Sequence, residues 1–319
     1  MKRWLPAIFG IGLFALVLRN VNLAETWENL KQTQWGWTSV AFGLFIVMVF
    51  LKGIRWSFLL KMQGVAYPVW DCFLIYLGSL FWGTVTPGRA GDFMKVLYLK
   101  RDRQMGFGLG MSSVLVDRVF DLYILLILGC LGLLLHPIPD HPEMVHGVWA
   151  FFGILLLVTF FAFHKTTGEW LMKTLFQRVL GERFKGHADQ AFRDFHKGME
   201  AFYRPSLLWP IFLTVLSYVS FFGACGFLGR ALNIDIGVLY LAFCVAVVNI
   251  SSLVTFAGMG TREVTLIILF GLENHGRTEA LAFSMLLFFV GTLLVSVVAY
   301  LAFLLKPVKF EKSGALPKD

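Results

Sequence analysis

The chain has 319 residues, 57% of them apolar and only 15% charged, with mean hydropathy +0.71 and formal net charge +8. Soluble globular domains carry about 25% charged residues, so this composition excludes an aqueous fold and predicts an all-α polytopic membrane protein. Residues 1–319 read as a single membrane domain with no nucleic-acid partner.

Six apolar runs approach or exceed the roughly 20 residues a membrane-crossing helix needs: 4–18, 36–60, 106–135, 147–163, 205–229 and 279–305. Lys2 and Arg3 precede the first run and no A-x-A cleavage pattern follows it, so it is expected as a retained span, a signal peptide being the alternative. Residues 22–35 read as a short interfacial stretch, with Trp27, Trp35 and Trp37 at headgroup level. Two further apolar stretches, 71–98 and 236–272, are broken midway by glycines. In the segment 164–204, Phe192, Phe195, Met199 and Phe202 recur at helical spacing among charges. That pattern suits an amphipathic helix on the cytoplasmic membrane surface, a solvated basic loop being the alternative. Cys72, Cys130, Cys225 and Cys244 lie far apart in apolar runs and read as buried small residues, neither disulfides nor metal ligands.

The two broken stretches decide the topology. If each enters and leaves on one side as a re-entrant hairpin, the cytoplasmic face gathers Lys2, Arg3, Lys52, Arg55, Lys61, Lys100, Arg101, Arg103, eight basic residues of 164–204 and four of the tail 306–319. The outer face keeps Arg19, Lys31, Arg230 and Arg277, so the bias is twenty against four. The positive-inside rule then favours six full crossings plus two hairpins, with both termini cytoplasmic in the inner membrane. The first repeat covers 1–135 and the second, inverted, covers 136–305. A shift of 169 residues lays 36–60 on 205–229 and Val85-Thr86 on Val254-Thr255. Breaks in corresponding places of inverted halves point to a substrate site near the midplane, ordinary loop punctuation being the alternative.

Asp117, Arg118 and Asp121 are flanked by uncharged runs too short to span alone, which places them mid-membrane. Asp117 and Asp121 share a helix face. Charges there need partners, and the hairpins offer Arg89, Asp92 and Lys95 in one half and Arg262 and Glu263 in the other. Arg89, Lys95, Arg118 and Arg262 balance Asp92, Asp117, Asp121 and Glu263, so a purely structural network is the competing reading. Gly88, Gly91, Gly258 and Gly260 precede the second hairpin arms, where free amides can face an anion. Arg89 and Arg262 suit bidentate phosphate binding, with Arg118, Lys95 and Arg55 completing the expected substrate-binding set. The four acids are counter-ions, with proton exchange a further option.

The run Thr86-Pro87-Gly88-Arg89-Ala90-Gly91-Asp92, followed by Val116-Asp117-Arg118-Val119-Phe120-Asp121, resembles the first signature of the lysylphosphatidylglycerol synthase transmembrane family, or flippase-like domain. Ala257-Gly258-Met259-Gly260-Thr261-Arg262-Glu263 is similar to its second signature, with Phe256-Ala257 where the family often has proline and glycine, and Arg55-Trp56 matches a basic-aromatic pair. The likeness covers nearly the whole chain and implies movement of lipids across the membrane. It does not extend to the aminoacyl transferase domain of the synthases, so synthase activity is not expected.

The expectation is therefore a flippase or scramblase for a phosphate-bearing lipid, with no cofactor and no enzymatic activity. A proton-coupled transporter of a small anionic solute is the alternative, and a homo-oligomer is left open. A lipid-phosphate enzyme lacks a nucleophile and base at the midplane. His136, His141 and His146 with Asp140 and Glu143 lie in a proline-broken outer loop, a weak metal pattern.

Overall fold

A computed structural model describes residue 19 and residues 22–85, 91, 93–135, 142–163, 185–202, 205–252, 255 and 258–305. Among them every regular element is helical. In chain order the helices are α1 (Leu23–Lys31), α2 (Trp35–Met62), α3 (Val69–Val85), α4 (Phe93–Arg103), α5 (Phe107–Leu135), α6 (Pro142–Phe163), α7 (Lys185–Glu200), α8 (Leu208–Ala231), α9 (Val238–Ser251), α10 (Thr261–Leu272), α11 (Arg277–Phe288) and α12 (Val295–Leu305). A π-helical turn, Phe289–Leu294, joins the last two into one rod.

Among the described residues, four rods are long and apolar enough to cross a bilayer: α2, α5, α8 and Arg277–Leu305. They match four of the expected spans, while α6 carries a shorter apolar stretch, Val145–Leu157. The expected span 4–18 and the tail 306–319 lie outside the described residues. The outward faces confirm the setting, since α8 exposes Ile211, Phe212, Val215, Leu216 and Val219 along one stripe. In water such a stripe would be a liability, whereas beside acyl chains it is the ordinary surface. The protein is a polytopic membrane protein.

Each broken stretch is a pair of short helices, α3 with α4 and α9 with α10, packed against each other. Even α3, at 17 residues, reaches only about 26 Å, less than the roughly 30 Å hydrocarbon core. The 169-residue spacing extends to helix bounds. It carries Lys31 onto Glu200, Met62 onto Ala231, Val69 onto Val238 and Arg103 onto Leu272, each a helix end or start matching its counterpart.

Packing follows the same rule. Helix α1 lies on α11 and its counterpart α7 lies on α5, while α3 packs on α12 and its counterpart α9 on α5. Helices α2 and α8 pair along their length. Gln34 donates its backbone amide to Ala231 (2.9 Å), Trp37 stacks on Phe227 (5.4 Å), and Ser220 Oγ donates to the Leu44 carbonyl (2.9 Å). Residue numbers rise on one helix as they fall on the other, so α2 and α8 run antiparallel.

Helix α7 is amphipathic as expected, but its apolar face meets protein. Met199 and Phe202 are buried against Leu59 and Val116. Gly108 of α5 allows the approach, because a Cβ there would lie 1.8 Å from the Ala191 carbonyl oxygen. Outside this helix, the Tyr67 hydroxyl donates to Asp102, and burial followed by that bond pushes the phenol pKa well up.

Candidate functional site

The buried stripe of α2 runs through Ala41, Phe45, Val49, Lys52, Arg55, Trp56 and Leu59, at helical spacing. Lys52 and Arg55 therefore point into the protein, not into the loop that follows α2. Their assignment to the cytoplasmic face is corrected: Arg55 is fully buried and Lys52 is 8% exposed. Both meet the acids of α5, whose own buried stripe carries Asp117, Asp121 and Leu125 four residues apart.

Asp117 is the anchor. Arg55 Nε donates to its Oδ1 at 2.9 Å, while Tyr76 Oη and Lys95 Nζ donate to its Oδ2 at 3.0 and 2.9 Å. Arg55 also donates to the Asp117 carbonyl (3.1 Å) and to Thr214 Oγ1 of α8 (2.9 Å). Lys95 also sits 3.4 Å from the Tyr76 ring centre, a cation–π contact. Asp121 Oδ2 accepts from Lys52 Nζ at 2.9 Å, and its Oδ1 lies 2.9 Å from Arg55 without hydrogen-bond alignment. Four helices, α2, α3, α4 and α5, are thus tied through one carboxylate, with α8 attached through Thr214.

Arg262 and Glu263 form a separate group. Arg262 Nε donates to Glu263 Oε1 (2.9 Å) and Ser284 Oγ (2.8 Å), and its guanidinium lies 4.7 Å from the Phe288 ring centre. Glu263 Oε2 accepts the Gly260 amide at 2.7 Å. The N-terminus of α10, expected to face a bound anion, thus holds the protein's own carboxylate. Gly258 and Gly260 have φ of 73° and 82°, backbone that side chains adopt at a cost. Gly91 serves close packing, since a Cβ there would meet Gly83 N at 2.0 Å. Arg89, Gly88 and Asp92 lie outside the described residues, as do His136 and His141.

Between these two groups lies a cavity of about 240 Å³. Lys52, Arg118, Asp121, Arg262 and Tyr218 line it, together with Asn249, Ser252 and Thr255 beside the break in the second stretch. Ser79 and Gly83 of α3 and Gly291 and Thr292 of the π-helical turn form other parts of the wall. The volume falls below the roughly 300 Å³ at which pockets for drug-sized ligands begin. The expected Arg118 and Arg262 converge here. Arg55, Lys95 and Asp117 instead brace the wall from behind.

The reading of the sequence missed Lys52, Tyr76, Thr214 and Tyr218. Lys52 left a signal, being three residues before Arg55 and so on its face of an apolar helix. The others are polar residues whose role depends on a partner far along the chain. Tyr218 Oη, for example, donates to the Asp121 carbonyl at 3.3 Å, and its ring lies 4.6 Å from Lys52 Nζ.

Residues 3–299 match the family described as the lysylphosphatidylglycerol synthase TM region. The chain belongs to this family. A UPF0104 membrane protein of Methanocaldococcus jannaschii is 23% identical to it over 319 residues, covering 94% of each chain. No solved structure matches. The matched region reaches from before the first expected span to within α12, so it takes in both broken stretches and the cavity between them.

Proposed function

We propose that this member of the family is a lipid flippase or scramblase, moving a phosphate-bearing lipid across the cytoplasmic membrane with both termini on the cytoplasmic side. The observation that carries the proposal is the small cavity lined by Lys52, Arg118 and Arg262, set among helices whose outer faces are apolar. Charges at membrane depth are expensive, and those gathered around a cavity mark a substrate path more often than a packing device. The matching helix bounds, the exchanged contacts and the antiparallel α2–α8 pair support an inverted repeat. In that reading α3–α4 and α9–α10 are re-entrant hairpins entering from opposite sides. The headgroup occupies the cavity and the tails stay in the bilayer.

Reconstitution in liposomes with fluorescently labelled phospholipids tests the proposal. The purified chain should speed lipid translocation, and Lys52→Gln and Arg118→Ala should each slow it at least about tenfold, the usual scale for truncating one partner of a buried charge pair. Asp117 is unsuitable for this test because it braces the fold. Uptake of a small anion with no lipid movement would transfer the site to a solute transporter.

A further inference from the structure

The wall that the second broken stretch gives the cavity has a hydrogen-bonding pattern of its own. Asn249 of α9 donates Nδ2 to the Val245 carbonyl at 2.8 Å. A carbonyl only accepts, so the amide is oriented with its Oδ1 left as an acceptor. Thr261 Oγ1 donates to the Gly258 carbonyl at 3.3 Å, so the Thr255 hydroxyl supplies the proton of the 2.8 Å Thr255–Thr261 bond and keeps its own lone pairs. Arg262 donates through Nε and Nη2 to Glu263 and through Nε to Ser284, and among the described residues its Nη1 has no hydrogen-bond partner. Asn249, Thr255 and Arg262 all line the cavity, with Thr255 and Arg262 only 6% and 8% exposed. At the 169-residue spacing Asn249 and Ser252 correspond to Leu80 and Gly83, which line the same cavity without a polar side chain.

We propose that Asn249, Thr255 and Arg262 form a subsite for a hydroxyl group of the substrate's headgroup. A buried polar group left unmatched is costly, so the ligand that fits is the one that matches both acceptors and the donor. A hydroxyl donates one hydrogen bond and accepts others, and neighbouring hydroxyls of a polyol can serve Asn249 Oδ1, Thr255 Oγ1 and Arg262 Nη1 together. An ammonium has donors only and would leave Nη1 unmatched beside it. A phosphate oxygen would take Nη1 but meet two acceptor oxygens. The inference rests on the lipid-translocation reading, in which the phosphate lies against Lys52 on α2 and the polyol reaches the wall built by α9 and α10. The shared chemistry, a phosphate carrying a polyol, also describes a free polyol phosphate.

The test uses the purified full chain in detergent, heated with dihexanoyl phosphatidylglycerol, dihexanoyl phosphatidylpropanol, dihexanoyl phosphatidylethanolamine or glycerol 3-phosphate. The first two lipids carry the same charge and differ by the two headgroup hydroxyls. Phosphatidylglycerol should protect at roughly tenfold lower concentration than phosphatidylpropanol, the scale of one or two matched hydrogen bonds. Phosphatidylethanolamine should protect less well than phosphatidylglycerol. Equal protection by the glycerol and propanol lipids, stronger protection by the ethanolamine lipid, or no protection by phosphatidylglycerol overturns the subsite, and none of these results touches translocation measured separately in liposomes. Glycerol 3-phosphate protecting as well as the lipid upholds the subsite while moving its source to a free solute. Asn249→Leu and Thr255→Val remove an acceptor at nearly constant volume, and each should shrink the glycerol-to-propanol ratio severalfold. An unchanged ratio in both variants would also overturn the subsite, and the wild-type ligand series decides even if a variant fails to fold.

Discussion

Asp117 accepts from Arg55, Tyr76 and Lys95 while its side chain is fully buried. Removing it strands two buried cations, so Asp117→Ala should destabilise the protein by about 3 to 5 kcal/mol, read as a lower unfolding midpoint in detergent. Glu28→Ala, which breaks the exposed Lys31–Glu28 pair, should leave the midpoint where it was. Comparable midpoints for the two variants would mean that the carboxylate does not brace the helices. The acids and Arg118 were legible in the sequence because a charge between apolar runs has nowhere else to go. Lys52 and Arg55 were only half legible. They lie close enough to the end of α2 to be taken for loop charges, and only the stripe they share with Phe45 and Val49 shows that they turn inward.

At the scale of elements, the junction between α3 and α4 depends on Gly91. A Cβ there would overlap Gly83 N at 2.0 Å and the Ser79 carbonyl at 2.2 Å, backbone atoms that cannot step aside. Gly91→Ala should therefore push the two arms apart and cost about 1 to 3 kcal/mol or more, measured by thermal unfolding. Gly83→Ala is the matched control, because a Cβ at Gly83 meets nothing within 4 Å. A Gly91→Ala protein as stable as the control would rule out the close crossing. Helix α7 shows why element roles were harder to read than element positions. Its Phe and Met spacing predicts an apolar face, but whether lipid or protein covers that face depends on Gly108 and Gly198, glycines that look unremarkable in the text and allow α5 and α7 to touch.

For the whole molecule, setting aside the buried Lys52 and Arg55 removes two residues from the expected cytoplasmic tally of twenty, and eighteen against four still favours the proposed orientation. Lys31→Cys should then react with an impermeant maleimide from outside intact cells and Lys61→Cys should not, the 28-residue α2 separating them. The reverse pattern would invert the proposed orientation. The native cysteines are buried and should stay silent. Where α2 begins and α8 ends, Gln34 Nε2 donates to Asn233 Oδ1 at 2.7 Å. Crosslinking Gln34→Cys to Asn233→Cys should stop translocation if the halves rock against each other, and full activity of the crosslinked protein would exclude that motion. The sequence by itself determined the membrane class, the principal spans, the interrupted stretches and the 169-residue spacing, because hydropathy, glycine breaks and helix length are local properties. Only the tertiary structure decided which charges meet. The spacing carries Asp117, Arg118 and Asp121 onto Leu286, Leu287 and Val290, so helix bounds recur at 169 residues while the buried charges do not. An ion pair is made by side chains from different helices, and their distance is set by packing that no single segment specifies.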